Sequence, residues 1–347
     1  MDLLPMGGMM HAVTMAPDGT IAYGERPIPH AGAGKVLIRV AAVGICGTDL
    51  HLRAGDHVSR DHPIVPGHEF AGTIVATGEG VDLRVGTPVA VDPNIPCRKC
   101  AQCQRGRSNL CENYAAVGVT MDGAAAQFVA VPEFCCVRLP ETMRDPAKLA
   151  NAALIEPISC AVHGIDTLQP SVGDRALIYG AGTMGLIMTM LLAASGVCEL
   201  TVVDPNTSRL DGARQAGATV AVSSLADLRK HSSGAPALWD LVVDCSGVPA
   251  AISEGIDQVI PGGTFLQFGV SPTSAVIEVS PYRIYRDEIR IVGSMAVHHS
   301  FARAAQVLAT GLVDPDLIVS DRIPLSEYEY AINLFAQGKT KKVLVIP

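Results

Sequence analysis

No long run of lysine or arginine occurs in this 347-residue chain, only 17% of its residues are charged, and a single tryptophan is present. With a formal net charge of −8, the lack of a basic stretch argues against nucleic acid or anionic membrane as the main partner. Sparse charge beside 48% hydrophobic residues excludes a mainly disordered chain, because disorder needs low hydrophobicity and dense charge. There is no internal repeat and no low-complexity tract. The one basic cluster, Lys339, Lys341 and Lys342, is small enough for a solvated face. The first ten residues carry no basic side chain ahead of their apolar ones, which argues against a secretory leader. The run from Ala176 to Cys198 is free of charge, but glycines at 180, 182 and 185 would break a spanning helix near its start.

What is present is cysteine, glycine and a change of texture along the chain. Ten cysteines without a leader point to reduced thiols and metal rather than a disulfide framework, hence to the cytoplasm. At roughly 100–200 residues per domain, the length predicts two domains. Up to about residue 155, short β-branched runs such as Val36–Val40, Gly72–Val75, Pro88–Val91 and Gln127–Val131 are bounded by Gly and Pro, the pattern of a β-rich domain. From about residue 172 strands and helices alternate. Arg175–Tyr179, Leu200–Val203, Leu241–Asp244, Thr264–Gly269 and Ile289–Val292 read as strands. Thr183–Ala194, Thr207–Ala216 (capped by Asn206 or Thr207) and Pro249–Val259 read as helices. Such repeating βα units predict a doubly wound parallel sheet, so the fold class is α/β. Helical patterns at Phe301–Ala309 and Ser326–Ala336 and a last strand Lys342–Ile346 follow.

Gly180-x-Gly182-Thr183-Met184-Gly185 lies directly after a strand and opens a helix, the context that gives the pattern physical meaning. The first glycine permits the turn, the second lets backbone approach a pyrophosphate, and the third lets helix pack on strand. The helix N-terminus offers free N–H groups to phosphates. Asp204 ends the next strand, 19 residues after Gly185, where a carboxylate accepts ribose hydroxyls and repels a 2′-phosphate. NAD is expected over NADP, with Arg209 close enough to bear on that choice.

Cys97, Cys100, Cys103 and Cys111 place four thiols within fifteen residues. Such a set closes around one tetrahedral ion with no position left for substrate, as structural zinc does. An iron–sulfur cluster also takes four cysteines, but the β-rich setting and a second zinc-type constellation favour zinc. That second constellation is dispersed: Cys46, Thr48, Asp49 and His51, then His68-Glu69, then Glu156. Cysteine, histidine and carboxylate together suit zinc with an open coordination position. Taken singly, Cys46 reads better as a buried thiol, His68 as a core histidine and Glu156 as a helix-start acid than as ligands. Cys135, Cys136, Cys198 and Cys245 sit in apolar runs and read as core residues.

Together these segments (GICGTDLH, VPGHEFAGTI, the four-cysteine lobe, LIEPISCAVHG, GAGTMG and VVDPN) resemble the zinc-dependent medium-chain dehydrogenases, and within them the polyol (sorbitol, arabinitol) dehydrogenase branch. The resemblance implies a GroES-like catalytic domain over 1–156 and 297–347 and a Rossmann dinucleotide-binding domain over 157–296. It implies two zinc ions per chain, with Cys46, His68 and Glu156 as catalytic ligands. Glu69 would stand nearby, bound directly, through water, or behind the ligands. Asp49 would orient the histidine, and Thr48 and His51 would relay a proton. The expected partners are a small alcohol or polyol and, as in the family, further copies in a homodimer or homotetramer. The expected reaction is reversible oxidation of a secondary alcohol (a polyol, sugar alcohol, cyclitol or aminocyclitol) to a ketone with NAD. A zinc-free quinone or enoyl reductase, or a non-catalytic nucleotide-binding regulator, are the alternatives on the same fold. Sorbitol dehydrogenases carry an Arg-Tyr pair where this chain reads Gly293–His299, which counts against sorbitol itself. His298 and His299 stand there instead, to face substrate or the cofactor's amide region, or to cap the helix that begins near Ser300.

Overall fold

The computed structural model describes residues 8–55, 62–231 and 238–347. Residues 1–7, most of the stretch weighed as a leader, lie outside the described part. The chain divides into two compact units, one of residues 1–159, 297–310 and 319–347, the other of residues 160–296 and 311–318. The short segment 311–318 therefore groups with the second unit, where a division at 297 alone would have put it in the first. The helix Pro315–Ile318 in it packs against the helix Thr183–Ala194.

The first unit is built on a seven-stranded sheet. Its path runs Val319–Pro324, Lys342–Ile346, Lys35–Gly44, Glu69–Thr77, Pro88–Val91, Cys136–Arg138, with Phe128–Pro132 also paired to Lys35–Gly44. The long strand Lys35–Gly44 is the hub because its β-branched residues suit a pleat covered on both sides. Val36, Ile38, Val43 and the neighbouring Ile74, Val89 and Val91 are fully buried in one core. Burial of each such side chain is worth about 1.5–3 kcal/mol. A ribbon of Met9–Met15 and Ile21–Pro27 flanks this sheet.

The second unit carries a six-stranded parallel sheet. With its strands numbered in chain order (Arg175–Tyr179, Glu199–Val203, Val220–Val222, Trp239–Asp244, Val259–Gln267, Arg290–Gly293), the order is 3-2-1-4-5-6. That is the doubly wound dinucleotide-binding order, whose strand order reverses beside the first strand. The apolar run 176–198 resolves into the end of one strand, a glycine turn and the helix Thr183–Ala194. At twelve residues this helix is short of the ~20 needed to cross a bilayer. No helix among the described residues is long and apolar enough to cross a membrane.

Two local expectations change. The segment after Asp204 begins as the 3-10 turn Thr207–Arg209, capped by Asn206 through Ser208 N, before the helix Leu210–Gln215. Cys198 is not a core residue: it is exposed, and its thiol donates to Gly173 O at 2.9 Å. It follows the turn at Gly196, just before the strand Glu199–Val203 begins, so the apolar run that flanks it does not carry it inward.

Candidate metal centre and dinucleotide site

Strand Lys35–Gly44 runs through Ile45 into Cys46, which caps the helix Gly47–Ala54 with extended backbone. Cys46 N donates to Asp49 Oδ2 at 2.8 Å, so the short helix and the thiol are held as one piece. His68 precedes the strand Glu69–Thr77, and antiparallel pairing sets Gly44 opposite Glu69. The pairing brings one ligand atom each of Cys46, His68 and Glu69 within 4.8 Å of one another.

This cluster is largely buried and sets acidic groups around one histidine. Burial alone would lower the His68 imidazole, but its hydrogen bond with Cys46 and the charges of Asp49, Cys46 and Glu156 outweigh that and lift its pKa to about 10. Burial pushes the Asp49 carboxyl up, against the pull of His68 and the Cys46 backbone bond. His68 Nδ1 and Asp49 Oδ1 are 3.8 Å apart, and both are buried without a hydrogen-bond partner. A pocket that drives a histidine toward the cationic form asks for positive charge, and a divalent ion supplies it. Thiolate, imidazole and carboxylate donors suit zinc, so the residues present fit the metal.

The other expected residues fall around this set. Glu156 is buried in the first turn of helix Ile155–Leu168 and acts electrostatically on His68 and Lys342, but it is not part of the three-residue cluster. Thr48 Oγ1 is 3.9 Å from Cys46 Sγ. His51 lies about one turn further along the same helix, half-buried. His298 and His299 do not cap the following helix, because Ser300 holds that position and receives His298 N at 3.3 Å. His299 Nε2 instead reaches the carbonyl of Gly106, 3.3 Å away, on the four-cysteine lobe.

Of two further residues at the centre, the sequence misplaces one and says nothing of the other. Lys342 is not on a solvated face: it is 2% exposed, and its ammonium donates to both Glu69 oxygens, at 2.7 and 2.8 Å, and to Ile45 O at 2.9 Å. The signal was a lysine opening an otherwise apolar strand, but its partner lies 273 residues away. Tyr328 is buried with its hydroxyl unpartnered. Burial first, then the charges of Asp49, Cys46 and Glu69, push its phenol well above the usual range.

Cys97, Cys100, Cys103 and Cys111 also gather their sulfurs within 4.8 Å. Backbone N–H groups of Lys99 and Cys100 lower the Cys97 thiol to about 6, and those at Cys103 and Glu112 lower Cys100. Burial and the neighbouring thiols push Cys103 up to about 12. A lobe in which some thiols ionise readily and others are held back by them is one that a cation would equalise.

In the second unit, Gly180 has φ +99°, a conformation that favours glycine, and a Cβ on Gly185 would sit 1.8 Å from Gly180 O. At Gly182 a Cβ would meet nothing nearer than Arg209 Nη1 at 3.9 Å, so the backbone there is open to approach. Helix Thr183–Ala194 has no side-chain cap, and Thr183 Oγ1 is buried without a partner. Free N–H groups and an unused hydroxyl at a helix start fit a phosphate. Asp204 is 4% exposed; Oδ2 accepts from Ala181 N at 2.7 Å and Oδ1 from Asn206 N at 2.8 Å, with Arg209 Nη1 3.6 Å off.

Residues 32–141 match the alcohol dehydrogenase GroES-like domain, and residues 183–310 match the zinc-binding dehydrogenase domain. The chain belongs to the zinc-dependent medium-chain dehydrogenases. That family is one of zinc-binding oxidoreductases, and both its GroES-like unit and its Rossmann-type sheet are present here. It is 35% identical to D-altritol 5-dehydrogenase of Agrobacterium fabrum, over 92% of this chain and 94% of that protein. It is 33% identical to D-arabinitol dehydrogenase 1 of Uromyces fabae, over 97% of this chain and 100% of that protein. Among solved structures, a zinc-binding dehydrogenase of Sinorhizobium meliloti bound to NADP matches with TM-score 0.93 and 35% identity, covering 98% of this chain and 100% of that one.

Proposed function

We propose that this dehydrogenase reversibly oxidises a secondary hydroxyl of a polyol, sugar alcohol or cyclitol to a ketone, with NAD taking the hydride. The observation that carries the reading is the buried convergence of Cys46, His68 and Glu69, with Glu156 beside them. Relatives that act on D-arabinitol and D-altritol support the substrate class. Zinc, when bound, supplies the Lewis acidity that makes a hydroxyl's proton removable near neutral pH.

The protein's own residues do the rest. Cys46, His68 and Glu69 hold the ion, and Asp49 faces His68 Nδ1 to fix the ring. Glu156 completes the site, directly or through water. Thr48 accepts the hydroxyl proton and His51 passes it toward solvent. Gly180, Gly182, Thr183, Met184 and Gly185 seat the pyrophosphate. Asp204 keeps a lone pair on each oxygen beyond its backbone bonds, enough to accept a ribose hydroxyl, and its charge disfavours a 2′-phosphate. Arg209, beside it, favours the reverse, and the related structure that holds NADP makes NADP the second reading.

Cys97, Cys100, Cys103 and Cys111 hold a second, structural zinc in this proposal. We place catalysis in residues 1–156 and 297–347, dinucleotide binding in 157–296, and the protein in the cytoplasm, consistent with ten free cysteines. For the assembly we propose a homodimer or homotetramer. Strand Arg290–Gly293 ends its sheet and exposes Ile291, an edge that pairing with another copy would cover.

The test is NAD reduction over a panel of polyols and aminocyclitols, with zinc measured per chain. Two zinc ions, and turnover abolished by Cys46→Ala or His68→Ala, are expected. Two ions without turnover on any alcohol would turn the reading to a regulator, and turnover without zinc to a quinone or enoyl reductase.

A further inference from the structure

We infer that Lys342 is a positioning residue for the metal centre, clamping Glu69 by both carboxylate oxygens and so fixing how that carboxylate faces and donates. The inference rests on the metal reading of Cys46, His68 and Glu69. An ammonium has three donors, and here all three are engaged: Ile45 O at 2.9 Å, Glu69 Oε1 at 2.8 Å and Glu69 Oε2 at 2.7 Å. Ile45 is the residue before Cys46, and Glu69 is the residue after His68. One cation therefore ties together the two chain segments that bring the ligands.

The sheet is arranged to allow this. Gly44 pairs with both Glu69 and Leu344, and Ile45 N donates to Val343 O, so three strands meet at this point. A Cβ on Gly44 would fall 2.1 Å from Glu69 Oε2, so only glycine leaves the carboxylate room to lie against Lys342.

One thiol and three carboxyl groups gather around His68, and Lys342 sets its ammonium against the one carboxyl that it clamps by both oxygens.

The test uses the holoenzyme and its cobalt-exchanged form, comparing Lys342→Met, Lys342→Arg, Glu69→Gln and the double variant. Outer partners of metal ligands typically contribute about 10–100-fold in metal affinity. In Lys342→Met, a chelator should remove one of the two ions about 10-fold more readily, and the cobalt absorption assigned by its loss in Cys46→Ser should shift. Lys342→Arg should recover most of both. In a Glu69→Gln background, adding Lys342→Met should change neither. If Lys342→Met does not fold, the charge-matched double variant against Glu69→Gln alone decides, and a further loss of metal there overturns the inference. Cobalt absorption and metal retention equal to wild type in Lys342→Met, with only the melting temperature lowered, would also overturn it. If wild type holds no ion that depends on Cys46, the functional reading itself fails, which is a separate outcome.

Discussion

Asp204 Oδ2 accepts the backbone N–H of Ala181 at 2.7 Å, so the acid that closes the second strand of its sheet braces the turn between Gly180 and Gly182. The same carboxylate is the one assigned to the adenosine ribose. In the proposed function this one side chain would both brace the turn and read the sugar's substitution.

Asp204→Asn separates the two roles. The amide keeps one acceptor for the turn but loses the charge, and hydrogen bonds to charged groups are worth about 1.5–3 kcal/mol. The kcat/KM for NAD should fall about 10-fold, and the NAD to NADP preference should narrow, since each 1.36 kcal/mol is about tenfold. Steady-state kinetics with both cofactors checks this. An unchanged preference would show that Asp204 serves the turn alone.

Metal uptake should depend on pH with a definite sign. His68 has a pKa raised from 6.5 to about 10 by its anionic neighbours, so between those values the metal-free folded protein holds a proton there that the unfolded chain has lost. That contribution to stability is complete below about 6.5 and disappears as pH rises through about 10. A metal must displace this proton, so affinity at the Cys46 site should rise over the same window, with proton release. Zinc titration by calorimetry in buffers of different ionisation enthalpy measures it. Zinc binding without proton release at pH 8 would contradict it.

Cys111→Ser should remove the lobe's ion and leave the other. Zinc content should fall from two per chain to one while Cys46-dependent metal remains. The melting temperature should drop by several degrees, at roughly 2–4 °C per kcal/mol for chains somewhat shorter than this. Elemental analysis with a thermal melt is sufficient. Retention of both ions would mean that three cysteines hold the lobe.

Tyr328 tests what its hydroxyl is for. The ring is 1% exposed, and its hydroxyl has no partner. Tyr328→Phe removes an unsatisfied polar atom and should be neutral or slightly stabilising. Tyr328→Ala should cost about 3–5 kcal/mol through the cavity it leaves. Urea unfolding of both variants is the measurement. A loss above about 1 kcal/mol in Tyr328→Phe would reveal a bond to Asp49 or its neighbours.

Local chemistry carries much of this protein in plain view. Thr183–Ala194, Phe301–Ala309 and Lys342–Ile346 are found at the bounds that their residue patterns predict. The four-cysteine spacing and the glycine turn are legible for the same reason: each is a few residues whose geometry is settled within one loop. Glu69 shows where that legibility ends. It is adjacent to His68 in sequence, yet strand pairing opposite Gly44 brings it into the cluster, while Glu156 acts from a greater distance. Lys342 reads as a solvent-facing charge at the head of an apolar strand, and only the meeting of three strand ends gives it buried partners. Cys198 errs the other way, apolar by its neighbours and exposed by its turn. Residues close in sequence fix their mutual geometry through backbone dihedrals and short-range hydrogen bonds. A buried ion pair spanning 273 positions exists only because the folded sheet excludes water from both charges at once.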